Sequence, residues 1–273
     1  MSTFPTRDEL LMSSYSLVRK SGLLETTVGR RLFRSAYFLY KGFIEDDLQD
    51  LVRARPGLLR GGNVLDVGAN IGYTATVLAR TLDPAYRVYA FEPEPFNYRM
   101  LQQTAAQPQL RDRVIALQCA VGAEDGAIEL WRNLRHHADH RVITDEFRSA
   151  VSGVTGISVP MVSIDRFLER NPGPVSFVKI DVQGFELPVC QGMKTTLERN
   201  PNLTIVLEYA PSAMRGLGFD PSQLVAFLVD RGFQVYLLRS KGELSPGIPS
   251  GLADSGYVDL LFSRNPIACG KAA

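Results

Sequence analysis

The segment DVGANIGY, residues 66–73, combines residue types at a spacing that suits the binding of a nucleoside. Gly68 and Gly72 allow the backbone to turn sharply and to approach a ligand closely. Glu92 ends the next β-branched run, where an acid can accept hydrogen bonds from both hydroxyls of a ribose. The turn and the acid together therefore predict a site for a ribose-containing ligand.

Two residues of the turn argue against a dinucleotide. Asn70 stands where the G-x-G-x-x-G pattern has its middle glycine, so the close approach of a pyrophosphate is lost there. Asp66 places a negative charge where a phosphate would lie. A carboxylate favours a cationic ligand, and S-adenosylmethionine has a ribose and an adenine but carries an ammonium and a sulfonium. The alternatives are a nicotinamide-dependent oxidoreductase and a purely structural turn, with Asp66 as a cap and Asn70 left-handed.

Five segments between residues 63 and 211 occur in an order and at a spacing that match one known family. They read VLDVGANIGYTA, FEPEPFNYRML, CAVG, VPMVSIDRFL and FVKIDVQGFELPVCQGM. This set resembles the FkbM family of S-adenosylmethionine-dependent methyltransferases. The resemblance implies a class I methyltransferase fold and methyl transfer, most often to an oxygen of a small molecule or sugar. Family members usually read K-I-D-V-E-G-x-E, so Gln183 departs from the pattern, and a binding module without turnover is a further alternative.

On this interpretation the cofactor is held by the turn, by the end of the second strand with the helix after it, and by residues near the ends of the third and fourth strands. Gly72 is expected where the helix starts, against the cofactor and the sheet, and the residues from Cys119 onward are expected to pack on the adenine. The predicted cofactor-binding residues are Asp66, Gly68, Ala69, Asn70, Gly72, Tyr73, Glu92, Pro93, Asn97, Cys119, Ala120 and Asp181.

Two acids at the ends of later strands are candidates for the chemistry. Asp181 ends the fourth core strand, where its carboxylate would face the reacting centre as a general base. Glu208 ends the fifth strand and is a candidate of the same kind, with a loop acid as the alternative. Lys179 and Glu186 are more consistent with a salt bridge and a helix cap than with catalysis.

The three histidines of the chain, His136, His137 and His140, all fall in a polar insert. A histidine suits abstraction of a hydroxyl proton because its pKa is near neutral. His140 is preferred because residues 138–142 resemble a G-D-H-R-I-like stretch of the family's insert, and a chance cluster in a solvated insert is the alternative. The separation of His140, Asp181 and Glu208 in the sequence gives little support to a metal site, and we expect no metal.

These residues require parallel strands whose carboxyl ends meet at one edge. After Gly61-Gly62, short β-branched runs alternate with helical patterns. The alternation predicts an α/β fold with a doubly wound, mostly parallel, seven-stranded Rossmann-like sheet. The predicted strands are 63–67, 87–91, 114–121, 175–180, 203–207, 233–238 and 257–262, and the predicted helices are 73–81, 95–106, 163–170, 185–200 and 221–231.

Three regions lie outside this alternation. Residues 1–60 read as an N-terminal helical extension before a methyltransferase domain of residues 61–273. An insert over about 127–162 has strand patterns at 127–131 and 157–162 and reads as a β-hairpin or flap, and residues 240–256 read as a loop. The extension carries aromatic residues at helical spacing, which predict core packing more than a lid; these are Tyr37, Phe38, Tyr40 and Phe43.

Composition limits the remaining choices. Thirty Lys and Arg against 29 Asp and Glu leave a formal net charge of +1, so no overall field recruits nucleic acid or an anionic membrane. The three cysteines lack C-x-x-C spacing, which favours a reducing compartment. No apolar run reaches the roughly 18 residues of a membrane span. We therefore expect a cytoplasmic protein with a small-molecule acceptor and no nucleic-acid or membrane partner, and a homo-oligomer is compatible with the sequence.

Overall fold

The computed structural model describes residues 26–44, 47–132, 140–151, 153–249 and 256–270. Its helices are α1 (Thr27–Ile44), α2 (Asp47–Ala54), α3 (Tyr73–Thr81), α4 (Pro95–Ala105), α5 (Asp145–Ala150), α6 (Ile164–Arg170), α7 (Glu186–Gln191), α8 (Lys194–Arg199), α9 (Pro211–Gly216) and α10 (Pro221–Val229). Its strands are β1 (Asn63–Val67), β2 (Val88–Phe91), β3 (Val114–Leu117), β4 (Ala120–Val121), β5 (Gly126–Trp131), β6 (Arg141–Val142), β7 (Gly156–Val162), β8 (Val175–Ile180), β9 (Thr204–Tyr209), β10 (Gln234–Arg239), β11 (Glu243–Pro246) and β12 (Val258–Ser263).

The main sheet of the described chain has eight strands in the order β11-β10-β12-β9-β8-β1-β2-β3. The five strands from β9 to β3 are parallel, whereas β12, β10 and β11 each run antiparallel to their neighbours. The predicted α/β class and the mostly parallel sheet are confirmed. Because β12 runs in the opposite direction, its first residues lie at the same edge as the carboxyl ends of the five parallel strands.

The predicted count of seven strands is wrong, because part of the predicted loop 240–256 is a strand. β11 pairs with β10 in antiparallel register, and Leu244 is buried opposite Leu238. Pro246 closes this edge strand, where the missing N–H of proline is tolerated. The Ser, Gly and Pro content of the segment predicted a loop, although a short edge strand accepts the same residues.

The predicted strand 114–121 is divided between two sheets. β3 ends at Leu117 and pairs with β2, whereas β4 pairs with β7 in a second sheet of order β4-β7-β5-β6. Both pieces contain buried residues, so the apolar pattern continues through the break. The antiparallel pairing predicted for the insert is present, since β5 and β7 pair from Gly126 opposite Met161 to Trp131 opposite Gly156. The insert is more than a hairpin or flap, because β6 and α5 lie between these strands and β6 adds to the same sheet.

The predicted helix 185–200 is interrupted at Gly192. A Cβ at this residue would overlap the carbonyl oxygen of Gly122, just after β4. α8 then starts with its own cap, because the Asp165 carboxylate accepts hydrogen bonds from the amides of Thr195 and Thr196 at 2.8 Å. The interruption therefore depends on a long-range contact that helical periodicity cannot show.

Apolar residues of the central strands alternate between two cores, as expected for strands covered by helices on both faces. Val64 and Phe177 pack with side chains of α2, α3 and α4. Leu65 and Val178 pack with side chains of α6 to α10. The doubly wound arrangement places every loop that follows a parallel strand at one edge of the sheet.

The second N-terminal helix packs against the rest of the fold. α2 buries Leu48, Leu51 and Val52 in the core that it shares with α3. The backbone of α2 at Leu51 leaves no room for a side chain at Gly242. The boundary at residue 60 remains a prediction, but α2 contributes to the core on the far side of that boundary.

The first described helix lies next to the turn after β1. The ring of Phe38 on α1 meets the ring of Tyr73 edge-on, with 5.2 Å between centroids. Tyr37 and Phe38 are half-buried, and the side chains of Tyr40 and Phe43 lie outside the described residues. Among the helices that the structure describes, none is both long and apolar enough to cross a bilayer.

Candidate active site

The turn between β1 and α3 is built on three residues with positive φ. Gly68, Asn70 and Gly72 have φ angles of 83°, 49° and 88°. The amide of Gly68 donates to the carbonyl of Phe91 at 3.0 Å, which ties the turn to the end of β2. A Cβ at Gly68 would overlap the carbonyl oxygen of Asp181, so this glycine lets the turn lie directly against the end of β8.

Gly72 packs against a helix and not against the sheet, which corrects the sequence-based expectation. A Cβ on Gly72 would come within 2.8 Å of Leu101 Cδ1 and 3.1 Å of Thr104 Cγ2, both on α4. The Thr104 hydroxyl donates to the carbonyl of Ile71 at 2.8 Å. Ala69 is buried in the apolar core on the same face of the sheet. The turn therefore makes its close contacts with protein on this side.

Glu92 connects the two loops that follow β1 and β2. Its Oε2 accepts a hydrogen bond from the amide of Asn70 at 2.9 Å, and its Oε1 accepts one from the amide of Glu94 at 2.9 Å. Burial raises the pKa of Glu92 to about 8, although the two amides act in the opposite direction. Each carboxylate oxygen keeps a second lone pair, so both can still accept a hydroxyl.

Two buried side-chain oxygens, one near the end of β1 and one in the turn that follows, have no hydrogen-bond donor within the described part of the chain. They are Asp66 Oδ2 and Asn70 Oδ1. Burial raises the pKa of Asp66 to about 7; Lys179 lowers it, Asp181 raises it and the amide of Ala75 lowers it. A buried acceptor without a donor is costly, so these atoms favour a ligand with N–H or O–H groups.

The other predicted cofactor residues surround the same edge. Tyr73 begins α3, and Pro93 follows β2. Asn97 is buried in the first turn of α4, and its backbone N–H donates to Glu94 Oε2 at 2.8 Å. Cys119 is half-buried between β3 and β4, where burial raises its pKa to about 11, and Ala120 is buried at the start of β4.

Asp181 and Glu208 lie together at the ends of neighbouring strands β8 and β9. Gln183 Nε2 is 3.0 Å from Asp181 Oδ1 and 3.0 Å from Glu208 Oε2. The side chain of Asp181 is 40% exposed. Burial raises the pKa of Glu208, and the carboxylate of Asp181 raises it further. The sequence predicted both acids, but it did not predict that Gln183 would join them.

Lys179 forms ion pairs with two acids of this cluster, in agreement with its predicted salt bridge. Its Nζ is 3.8 Å from Asp181 Oδ2 and 3.6 Å from Asp259 Oδ1. Burial alone would lower the pKa of Lys179, but the surrounding carboxylates outweigh burial and raise it. Sequence reasoning missed Asp259, which is opposite Glu208 in the register of β12 and β9. A polar residue at the start of an antiparallel strand would have been the signal.

Glu186 organises the loop before α7. Its Oε1 accepts hydrogen bonds from the amides of Val182 and Gly184 at 3.2 and 3.1 Å. Burial raises the pKa of Glu186 to about 7, while amides of the loop lower it. These contacts match the structural role that the sequence favoured, and they fix the loop that carries Gln183.

The insert contributes one anchored residue and one candidate base to this region. Arg132 follows β5, and its guanidinium lies 2.8 Å from Glu94 Oε1, a contact that sequence reasoning missed. His140 precedes β6 in the second sheet and is half-buried. His136 and His137 lie outside the described residues. Among the residues described, no three His, Cys, Asp or Glu side chains lie close enough together to hold a metal ion.

The described sheet, with a glycine-containing turn and an acid at neighbouring strand ends, has the architecture of a doubly wound α/β nucleotide-binding fold. Residues 66–235, more than half of the chain, match the methyltransferase FkbM domain. The chain therefore belongs to the FkbM family of S-adenosylmethionine-dependent methyltransferases. The nicotinamide-dependent alternative is wrong.

Two proteins of known name are similar to the chain. Methyltransferase sdnD of Sordaria araneosa is 27% identical over 240 residues, which cover 77% of this chain and 86% of that protein. Hexuronic acid methyltransferase AglP of Haloferax volcanii is 27% identical over 183 residues, which cover 66% and 67%. Among solved structures, an O-methyltransferase from Bacillus cereus in complex with SAH has a TM-score of 0.49 at 14% identity, covering 88% of this chain and 89% of that one.

Proposed function

We propose that this methyltransferase transfers the methyl group to a hydroxyl oxygen of a small molecule or sugar, with Asp181 as the general base. The position of Asp181 carries the proposal. Its backbone lies against Gly68 of the turn after β1, while its carboxylate is 40% exposed at the edge of the sheet. The similar protein AglP is a hexuronic acid methyltransferase by name, which supports a sugar acceptor for this chain.

The turn and Glu92 are proposed to hold the methyl donor. Asp66 Oδ2 and Asn70 Oδ1 need hydrogen-bond donors, and the ammonium group of S-adenosylmethionine carries three N–H groups. Glu92 keeps one lone pair on each oxygen for the ribose hydroxyls. The chemistry of these groups fits the cofactor, which when bound supplies a methyl carbon on a positively charged sulfur.

In the proposed step the acceptor oxygen forms a bond to the methyl carbon as the carbon–sulfur bond breaks. The electron pair of the carbon–sulfur bond stays on sulfur. The acceptor proton passes to the Asp181 carboxylate, so the products are the methyl ether, S-adenosylhomocysteine and protonated Asp181. The exposed face of Asp181 then allows the proton to reach solvent. Lys179 Nζ lies 3.8 Å from Asp181 Oδ2, so a buried cation is paired with the proposed base. Orientation of the acceptor supplies much of the remaining acceleration.

Asp181→Asn tests this assignment against His140→Gln. The amide keeps the shape of Asp181 but cannot take a proton, so we expect turnover to fall by about 10²-fold to 10⁴-fold, with a much smaller change in cofactor affinity. Release of S-adenosylhomocysteine should be measured with neutral sugars and hexuronic acids as acceptors, and cofactor affinity by calorimetry.

The pH profile separates the two candidate bases. A histidine base gives an acidic limb at about pH 6 to 7, and an aspartate base gives a lower one. If both variants keep wild-type turnover, neither residue is the base. If the protein binds S-adenosylmethionine but forms no S-adenosylhomocysteine with any acceptor tested, the result would instead support a binding module.

A further inference from the structure

Gln183 occupies a position between two carboxylates that belong to different strand ends. It follows β8 in a left-handed conformation, with φ of 55°. Its Nε2 is 3.0 Å from an oxygen of Asp181 and 3.0 Å from an oxygen of Glu208. A primary amide nitrogen carries two hydrogens, so both of its N–H groups are used. Gln183 is therefore a bridge between the ends of β8 and β9.

The bridge lies in a cluster with more acids than bases. Glu208 is faced by Asp181 and Lys179 from β8, by Glu186 from α7 and by Asp259 from β12. Lys179 is shared between Asp181 and Asp259. Two carboxylates that approach one nitrogen repel each other unless a donor or a proton lies between them. The amide of Gln183 supplies donors there, and an amide does not titrate.

We propose that Gln183 is a positioning residue for methyl transfer, which holds Asp181 and Glu208 side by side so that the Asp181 carboxylate faces the acceptor. This inference rests on the proposed role of Asp181. A Glu at this position would bring three carboxyl groups together, and they would need at least one proton to stay close.

Gln183→Glu and Gln183→Met form a matched pair for the test. Both replacements are unbranched at Cβ and meet the same positive φ, so backbone strain is equal in the two variants. Met removes both N–H donors, and we expect kcat to fall by about 10-fold to 100-fold at every pH from 6 to 9. Glu can donate only while it is protonated. We expect its turnover to be closest to wild type at pH 6 and to decline with each unit of rising pH.

Two measurements separate the bridge from the proposed function and from misfolding. Calorimetric affinity for S-adenosylhomocysteine should be nearly unchanged in both variants, because the turn and Glu92 are intact. Chemical unfolding without any ligand should show stability falling more steeply between pH 6 and 9 in Gln183→Glu than in Gln183→Met. The unfolding measurement requires no acceptor. It therefore tests whether Gln183 bridges Asp181 and Glu208 even if no acceptor is turned over.

The proposal is overturned if both variants keep wild-type kcat across the pH range. It is also overturned if the deficit of Gln183→Glu is as independent of pH as that of Gln183→Met, or if the two unfolding slopes are equal. Failure of wild-type protein to release S-adenosylhomocysteine contradicts the proposed function, and the unfolding slopes still report on the bridge.

Discussion

Glu92 has a structural task in addition to the one that its position in the sequence predicts. The sequence predicted an acid for the ribose, and the structure gives each of its oxygens a backbone amide. The same carboxylate thus fixes the conformation of Asn70 and of the chain after β2. Removal of this side chain leaves a buried and a half-buried backbone donor without their acceptor.

We expect Glu92→Ala to weaken affinity for S-adenosylmethionine by about 10-fold to 150-fold, the equivalent of one charge-assisted hydrogen bond. We also expect it to lower the free energy of unfolding by about 1 to 3 kcal/mol, because buried amides lose their partner. Calorimetric titration and chemical unfolding measure the two effects. A folded variant with unchanged affinity would contradict the assignment of Glu92 to the ribose.

At the residue scale, the sequence predicted positions at strand ends but not the partners of their side chains. Asp66, Asp181 and Glu208 are where the strand pattern placed them, since the end of a strand can be read from its β-branched run. Gln183 and Asp259 join this cluster through contacts between strands that are distant in the chain. Such pairings depend on sheet order, which one sequence does not specify.

At the scale of elements, the turn after β1 is held by packing against α4. Gly72 has φ of 88°, and a Cβ added to it would collide with Leu101 and Thr104. A side chain here would separate α3 from α4 and move the turn that carries Asn70. The residue therefore acts on the site through the helices that support it.

We expect Gly72→Val to lower the free energy of unfolding by about 2 to 5 kcal/mol, from overpacking and from a left-handed conformation that valine disfavours. Cofactor affinity should fall with it, because the turn is displaced. Gly232→Val is the matched control, since Gly232 has φ of 83° and a Cβ there meets nothing within 4 Å. Equal stability and cofactor affinity in the two variants would show that the contact with α4 is unimportant.

Element boundaries were predictable where the local pattern decides them. Predicted strand 63–67 and predicted helix 73–81 match β1 and α3, because a buried run and a glycine turn define both. The break after Leu117 was not predictable, since the residues on both sides are apolar and only their sheets differ. The interruption at Gly192 depends on the neighbouring Gly122 carbonyl in the same way.

At the scale of the whole molecule, several buried acids make the stability of the ligand-free protein depend on pH. Burial raises the pKa of Asp66 to about 7, of Glu92 to about 8 and of Glu186 to about 7. Each of these groups binds its proton more tightly in the folded chain than in the unfolded chain. Their contribution to stability is complete below the unfolded pKa, near pH 4, and is lost as the pH rises through the folded pKa.

We therefore expect the free energy of unfolding to decrease between pH 5 and 8, with each such group contributing a slope of about 1.4 kcal/mol per pH unit. Chemical unfolding at pH 5, 6, 7 and 8 measures the slope. Asp66→Asn removes one titrating group and should flatten the curve below pH 7. A slope that is identical in wild type and Asp66→Asn would show that Asp66 ionises in the folded protein as it does in water.

The place of β12 has a consequence for how the protein is made. β12 is the last strand of the described chain, yet it lies between β9 and β10, so it is the link through which β10 and β11 join the main sheet. On a ribosome, β10 and β11 are synthesised before that link exists. The nascent chain can assemble the strands from β1 to β9 while translation proceeds, but the β10–β11 hairpin must wait for residues 258–263 to emerge. Completion of the sheet therefore follows the synthesis of β12, and Asp259 reaches Lys179 only after that strand has emerged.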